Sequence, residues 1–90
     1  MIRKTYRIIS ENGLHARPAT VLVNSAVKFK SDAFIIHNGK KVDLKSIMGV
    51  MSLGIYCGDT VTFEINGGDE GECMKKINEM MFTLKMGKEI

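Results

Sequence analysis

The segment at residues 13–20, GLHARPAT, places His15 two residues before Arg17 and three before Pro18, the single proline of the chain. Proline is tolerated in the first turn of a helix, so we expect a helix to begin between His15 and Arg17. The first N–H groups of a helix lack intrahelical partners and together carry about half a positive charge, and an arginine guanidinium matches the oxygens of a phosphate. These residues predict an anion-binding helix start beside a histidine.

The histidine adds a nucleophile to that anion site. No acidic residue lies between Asn12 and Ser31 to weaken the positive field. Such a field favours the neutral imidazole, which can attack a phosphoryl group. The helix start and Arg17 would then stabilise the charge of the transferred group, while Gly13 leaves the approach uncrowded. The segment therefore favours a phosphohistidine site, although a helix-capping histidine beside a solvated arginine explains the same residues.

Composition and missing motifs exclude other classes of function. The 90 residues carry 13 Lys and Arg against 10 Asp and Glu, and the net charge of +3 is far below the dense basic surface that nucleic-acid binding requires. Cys57 and Cys73 form no CxxC pair, and neither zinc spacing nor a P-loop is present, so we expect no metal, no cofactor and no kinase chemistry. The first ten residues are neither a signal peptide nor a membrane anchor, which predicts a cytoplasmic protein without membrane insertion.

Hydrophobic periodicity predicts the elements that position His15. In chain order these are a strand at 5–9, a helix that begins between His15 and Arg17, a hairpin turning at Asn38-Gly39, a short helix from Ser46 to Leu53, a strand at 60–66 and a helix after Asp69. Alternating strand faces and a hairpin favour one antiparallel sheet. We therefore expect an α+β fold in a single domain spanning 1–90, an open-faced βαββαβα sandwich with a four-stranded antiparallel sheet and three helices on one face.

The same periodicity gives expectations for single residues. Asp69 followed by Glu72 predicts a capping box at the start of the last helix. Alternation in the strand at 60–66 places Glu64 on a solvent-facing side, and His37 is expected to be a surface strand residue. The predicted buried stripe of the last helix consists of Cys73, Ile77, Met80, Met81 and Leu84.

Two motifs and their spacing resemble one known family. GLHARPAT, followed after the hairpin by LKSIMGVMSLGI at 44–55, resembles HPr, the histidine-containing phosphocarrier of the sugar phosphotransferase system. The resemblance runs from the first strand to the last helix. It implies that His15 carries the phosphoryl group on its δ1 nitrogen, receives it from enzyme I and passes it to enzyme IIA domains for sugar uptake, with Arg17 as the phosphate contact. A carrier of this kind is not an enzyme, and a nitrogen-pathway carrier with the same histidine remains an alternative.

Ser46 has two interpretations. Serine is a preferred helix N-cap, which by itself explains the residue. A phosphate at this position would add charge while leaving the fold intact, so its effect would fall on partners. The resemblance to HPr proteins of low-GC Gram-positive bacteria implies regulatory phosphorylation of Ser46 by HPr kinase/phosphorylase, followed by binding to catabolite control protein A in carbon catabolite repression. A regulatory interaction module, with this binding as its main output, is the alternative to a carrier.

The short helix after Ser46 carries more apolar side chains than one face can bury. Ile47, Met48 and Met51 are therefore expected to contribute to a partner-binding patch, which the resemblance implies is shared by enzyme I and enzyme IIA. Leu14 and Thr20 are expected to flank this patch. Core packing is the competing interpretation for each methionine. We expect the protein to be a monomer.

Overall fold

The computed structural model describes residues 1–14 and 17–90. Within these ranges, the strands are β1 (Ile2–Ile8), β2 (Asp32–His37), β3 (Lys40–Asp43), β4 (Thr60–Asn66) and β5 (Gly87–Glu89), and the helices are α1 (Arg17–Ala26), α2 (Ile47–Met51) and α3 (Glu70–Thr83).

The described strands form one antiparallel sheet in the order β3-β2-β4-β1-β5. The predicted α+β sandwich is confirmed, with one difference: β5, at the carboxyl end, adds a fifth strand to the four expected. Its three residues, Gly87–Glu89, contain no hydrophobic side chain and therefore give no alternation to detect. As a result, β1 lies inside the sheet rather than at its edge.

The hairpin between β2 and β3 turns where the sequence predicts it. Asn38 and Gly39 have φ angles of 50° and 78°, as a type I′ turn requires. His37 pairs with Lys40 directly across this turn. The turn lies at the same end of the sheet as the carboxyl end of β1, where the loop to α1 begins.

The core lies between the sheet and the helices. Ala19, Leu22 and Ala26 of α1 are buried together with Val61, Phe63 and Ile65 of β4 and Ile77 and Met81 of α3. The rings of Tyr6 and Phe63 meet edge to face with centroids 5.5 Å apart. The Tyr6 hydroxyl donates a 2.6 Å hydrogen bond to Asn78 Oδ1, and burial together with the Glu89 charge raises the pKa of Tyr6 to about 12.

Glu64 is not the solvated residue that alternation in β4 predicts. Only 9% of its surface is exposed, on the sheet face that carries no helix. Its carboxylate accepts a 2.8 Å hydrogen bond from Lys41 Nζ and lies 3.1 Å from Arg3 Nε. The pKa of Glu64 is lowered, first by the hydrogen bond from Lys41 and then by the charges of Lys41 and Arg3. Cross-strand partners, which periodicity does not show, make this burial possible.

The start of α3 also differs from the prediction. Asp69 is the N-cap residue, but its side chain makes no capping hydrogen bond. Its carboxylate instead accepts 2.9 Å hydrogen bonds from the backbone N–H groups of Lys30 and Ser31 and another from the Ser31 hydroxyl. These bonds, that of the Ser31 hydroxyl first, lower the pKa of Asp69. The predicted capping box is wrong because Asp69 is used to hold the segment before β2.

The buried stripe of α3 is shorter than predicted. Cys73, Met74, Ile77 and Met81 are buried and Met80 is half-buried, so Met74 is a buried residue that the prediction missed. Leu84 is exposed because α3 ends at Thr83 and the chain then turns away. Burial, followed by the Asp69 charge, raises the pKa of the Cys73 thiol. Among the described residues, no helix is long and apolar enough to cross a membrane.

Candidate functional site

His15, the predicted phosphoacceptor, and Ala16 lie outside the described residues. The structure describes both flanks of this pair. Leu14 ends the loop that follows β1, and α1 is described from Arg17 onward with Pro18 in its first turn, as predicted. The site is therefore defined by how these flanks are held.

Gly13 holds the loop against the segment that follows α2. Its φ of +64° lies in the left-handed region, and a Cβ atom added there would lie 2.1 Å from the carbonyl oxygen of Ile55. The Gly13 N–H donates to Ser10 O at 3.0 Å, and the Leu14 N–H donates to Ile55 O at 3.3 Å. Gly13 is thus needed because two backbone segments meet there, a reason different from the open approach expected from the sequence.

The beginning of the same loop is held from both sides. Ile9 and Ser10 donate their N–H groups to Met86 O at 2.9 and 3.4 Å. On the other side, Gly58 N donates to Ile8 O at 2.7 Å, and Ile8 N donates to Asp59 O at 2.8 Å. The chain leading to His15 is therefore fixed mainly by backbone hydrogen bonds.

His37 and Asp59 fix the neighbouring segment at 56–59. His37 is 6% exposed, so the prediction of a surface strand residue is wrong. Its Nε2 lies 3.0 Å from Asp59 Oδ2, which also accepts a 2.9 Å hydrogen bond from Tyr56 N. The bond from Tyr56, followed by the interaction with His37, lowers the pKa of Asp59. Since the two residues are 22 positions apart, no local pattern could have revealed the pair.

Arg17 presents its charge to solvent at the described start of α1. Its side chain is exposed, and no ion pair joins it to another residue within 1–14 or 17–90. The first turn of α1 contains no acidic residue. A guanidinium in this setting can bind an anion without first breaking an internal pair.

The residues expected to bind partners differ in how much of their surface is exposed. On α2, Ile47, Met48 and Met51 are 39%, 83% and 42% exposed, and they form an apolar surface that we call the α2 patch. Thr20 is half-buried on α1, which packs against α2. Leu14 is fully buried in the core, so its expected place at the edge of the patch is corrected. A single leucine in a loop offers no periodicity from which burial could be inferred.

Ser46 is the N-cap of α2, one of the two interpretations drawn from the sequence. Its hydroxyl oxygen accepts a 3.0 Å hydrogen bond from Gly49 N, and the residue is half-buried. The helix ends at Met51 with Ser52 as the C-cap, two residues before the predicted end at Leu53. Ser46 begins the helix that carries the α2 patch, so a change at the hydroxyl would alter the surface beside these apolar side chains.

Residues 2–83 match the family model PTS-HPr, described as "PTS HPr component phosphorylation site". Together with the fold, this match defines a phosphocarrier of the phosphotransferase system rather than a catalytic enzyme. The chain belongs to the HPr family.

Solved structures agree with this assignment. The chain is 37% identical to the histidine-containing phosphocarrier protein of Mycoplasma, with a TM-score of 0.94 over 97% of this chain and 99% of that one. It is 39% identical to phosphocarrier protein HPr of Bacillus anthracis, with a TM-score of 0.81 over 88% and 94% of the two chains. Crh of Bacillus subtilis, a catabolite repression protein solved as a domain-swapped dimer, is 40% identical, with a TM-score of 0.72 over 92% and 95%.

Proposed function

We propose that His15 accepts a phosphoryl group from phospho-enzyme I and passes it to enzyme IIA domains for sugar uptake. The observation that carries this proposal is the exposed guanidinium of Arg17, which has no ion-pair partner among the described residues and lies two positions after His15. In the transfer, a ring nitrogen of His15 attacks phosphorus, the new N–P bond forms and the bond to the donor breaks. Arg17 and the start of α1 stabilise the phosphoryl oxygens in the transition state and in the product.

The partners meet the α2 patch. Its exposed methionines can adapt to more than one protein surface, which suits a carrier that binds a donor and then an acceptor. Such complexes must be short-lived, because a carrier that stays bound cannot deliver. The protein acts as one HPr-like domain, in the cytoplasm and as a monomer; the swapped dimer of Crh makes size-exclusion chromatography the direct check of the last point.

Ser46 supports a second function in the same molecule. HPr kinase/phosphorylase would phosphorylate its hydroxyl, and the product would bind catabolite control protein A. The likeness to Crh, a catabolite repression protein, favours this regulation. The added charge of about −1.5 to −2 at the start of α2 would alter the docking surface without removing a core contact.

Intact mass tests the carrier function. The protein is mixed with phosphoenolpyruvate, magnesium and enzyme I, and its mass is measured before and after brief acid treatment. We expect one acid-labile phosphoryl adduct, absent from His15→Ala and formed more slowly by Arg17→Ala. His37 is retained in His15→Ala and serves as the internal control for histidine. An adduct that survives in His15→Ala, or no adduct with an active enzyme I, would overturn the proposal.

Binding to catabolite control protein A tests the regulation separately. HPr kinase/phosphorylase and ATP should give an acid-stable adduct on the wild-type protein and none on Ser46→Ala. The phosphorylated protein should bind catabolite control protein A, whereas the unmodified protein should not. Binding that is lost in Ser46→Ala but kept in His15→Ala would separate this function from phosphoryl transfer.

A further inference from the structure

The carboxyl-terminal segment at 84–90 lies next to the beginning of the loop that leads to His15. The match to the family model ends at residue 83, before this segment begins. Met86 is 1% exposed, and its carbonyl oxygen accepts the N–H groups of both Ile9 and Ser10. The segment thus supplies the acceptor for the first two residues after β1.

Its backbone is shaped to reach this position. After α3, Lys85 N donates to Phe82 O at 3.1 Å and Met86 N donates to Met81 O at 2.9 Å, a Schellman pattern with Lys85 at a φ of 53°. A Cβ atom at Gly87 would lie 2.8 Å from both Arg7 O and Met81 Cε, so only glycine fits between β1 and α3.

The β5 strand then fastens the segment along β1. Gly87 pairs with Ile8 and Lys88 with Arg7, and the N–H of Ile90 donates to Thr5 O at 2.9 Å. The side chain of Lys4 lies 3.5 Å from Glu89 in an ion pair. Because β5 pairs along β1 on this side, Met86 is held where Ile9 and Ser10 need an acceptor.

A continuous series of backbone contacts runs from this segment toward His15. Ser10 is bonded to Met86, Gly13 is bonded to Ser10, and Gly13 and Leu14 rest on Ile55. We propose that the segment at 84–90 is a positioning element for phosphoryl transfer, which sets the placement of the His15 loop through Met86. This inference rests on the proposed carrier function.

Two variants test whether the segment at 84–90 positions the His15 loop. Gly87→Val introduces a strand-favouring residue but places its side chain against Arg7 O, and it should displace β5 together with Met86. A chain ending at Leu84 removes Met86 altogether. Lys88→Ala is the matched control, because its side chain is exposed and its backbone pairing is unchanged.

Phosphoryl transfer from enzyme I is measured at a temperature where circular dichroism shows each variant folded. We expect the kcat of enzyme I to fall roughly tenfold when Gly87→Val or the shortened chain is the phosphoryl acceptor, because small displacements of reacting groups cost much of the rate. KM should change little, because the α2 patch is untouched. Lys88→Ala should match the wild-type protein in both constants.

Amide NMR supplies a readout that does not depend on transfer. The Ile9 and Ser10 amides should exchange faster in both variants, and the Gly13 and Leu14 resonances should shift. Wild-type kcat and unmoved Gly13 and Leu14 resonances in folded Gly87→Val would overturn the inference, and this variant decides alone if the shortened chain does not fold. If the wild-type protein accepts no phosphoryl group, the carrier proposal fails, and the NMR result alone decides whether the segment positions the loop.

Discussion

The two ends of the sheet are held by different kinds of hydrogen bond. At the loop end (residues 9–14, 54–59 and 84–87), backbone N–H groups donate mainly to backbone carbonyls, as from Ile9 to Met86 and from Leu14 to Ile55. At the opposite end (residues 29–31, 45–46 and 67–70), side chains accept or donate most of the connecting bonds, and the Asp69 carboxylate alone accepts three.

This difference has a consequence for stability. Backbone bonds place a loop without using its side chains as hydrogen-bond partners. Where two such backbone segments come closest, at Gly13 and Gly87, only glycine fits. Side-chain bonds tolerate more space but depend on single polar groups and on their protonation. Apart from the His37–Asp59 pair, the loop end should thus be sensitive to added bulk, whereas the opposite end should be sensitive to lost polar atoms and to acid.

The largest effect is expected for Gly13→Ala at the loop end. Left-handed backbone and the overlap with Ile55 O together should cost roughly 3 kcal/mol of the free energy of unfolding. Gly39→Ala is the matched control: its φ is +78°, but nothing lies within 4 Å of the added Cβ, so only about 1 kcal/mol should be lost. Urea unfolding measures both, and equal losses would contradict the role assigned to close approach.

Asp69→Asn should give the next largest loss, at the opposite end. The amide nitrogen that replaces one carboxylate oxygen cannot accept a hydrogen bond. Either the bond from the Lys30 N–H or the two bonds from Ser31 are therefore lost. The native pKa of Asp69 lies below the ordinary value of 3.8, so its stabilisation is complete above that pH and is lost as pH falls through the lowered native pKa. The urea midpoint of Asp69→Asn should therefore decrease less on acidification than that of the wild-type protein. Asp32→Asn, at an exposed position, is the control for adding an amide.

Ser46→Ala should cost about 1 kcal/mol because it removes the N-cap of α2. Ser46→Asp keeps an acceptor for Gly49 N and should retain most of the stability. Ser52→Ala, whose exposed hydroxyl donates to Gly49 O, is the nearby control for removing a serine hydroxyl. Thermal unfolding compares the three, and an unchanged Tm in Ser46→Ala would mean that the cap contributes nothing measurable.

A gain no larger than the loss in Ser46→Ala is expected for Lys85→Gly at the loop end. Lys85 adopts a φ of 53°, which costs a side-chain-bearing residue about 1 kcal/mol relative to glycine. Lys85→Ala removes the charge but keeps the strain, so it should leave the free energy of unfolding nearly unchanged. If Lys85→Ala stabilises the protein as much as Lys85→Gly, charge rather than backbone strain would be the cause.

Local patterns predicted the hairpin, the helix after Pro18, the Ser46 cap and the inward side of β4, because each depends on neighbouring residues. Expectations failed where a distant partner changed the environment of a residue. Glu64 is buried because Lys41 and Arg3 approach it across the sheet, and Asp69 serves Ser31 instead of the helix that it begins. His37 is buried because Asp59 faces it, and β5 forms because β1 offers an edge.

The sequence by itself determined the order of the elements from β1 to α3 and the membership of His15, Arg17 and Ser46 in motifs that resemble HPr, since spacing and residue type are local properties. Only the tertiary structure decided that Leu14 lies in the core, that Met48 is exposed and that Met86 supports the loop before His15. These three outcomes depend on which segments meet after folding. Backbone hydrogen bonds between such segments leave almost no trace in residue type, apart from a glycine where two segments come too close for a side chain.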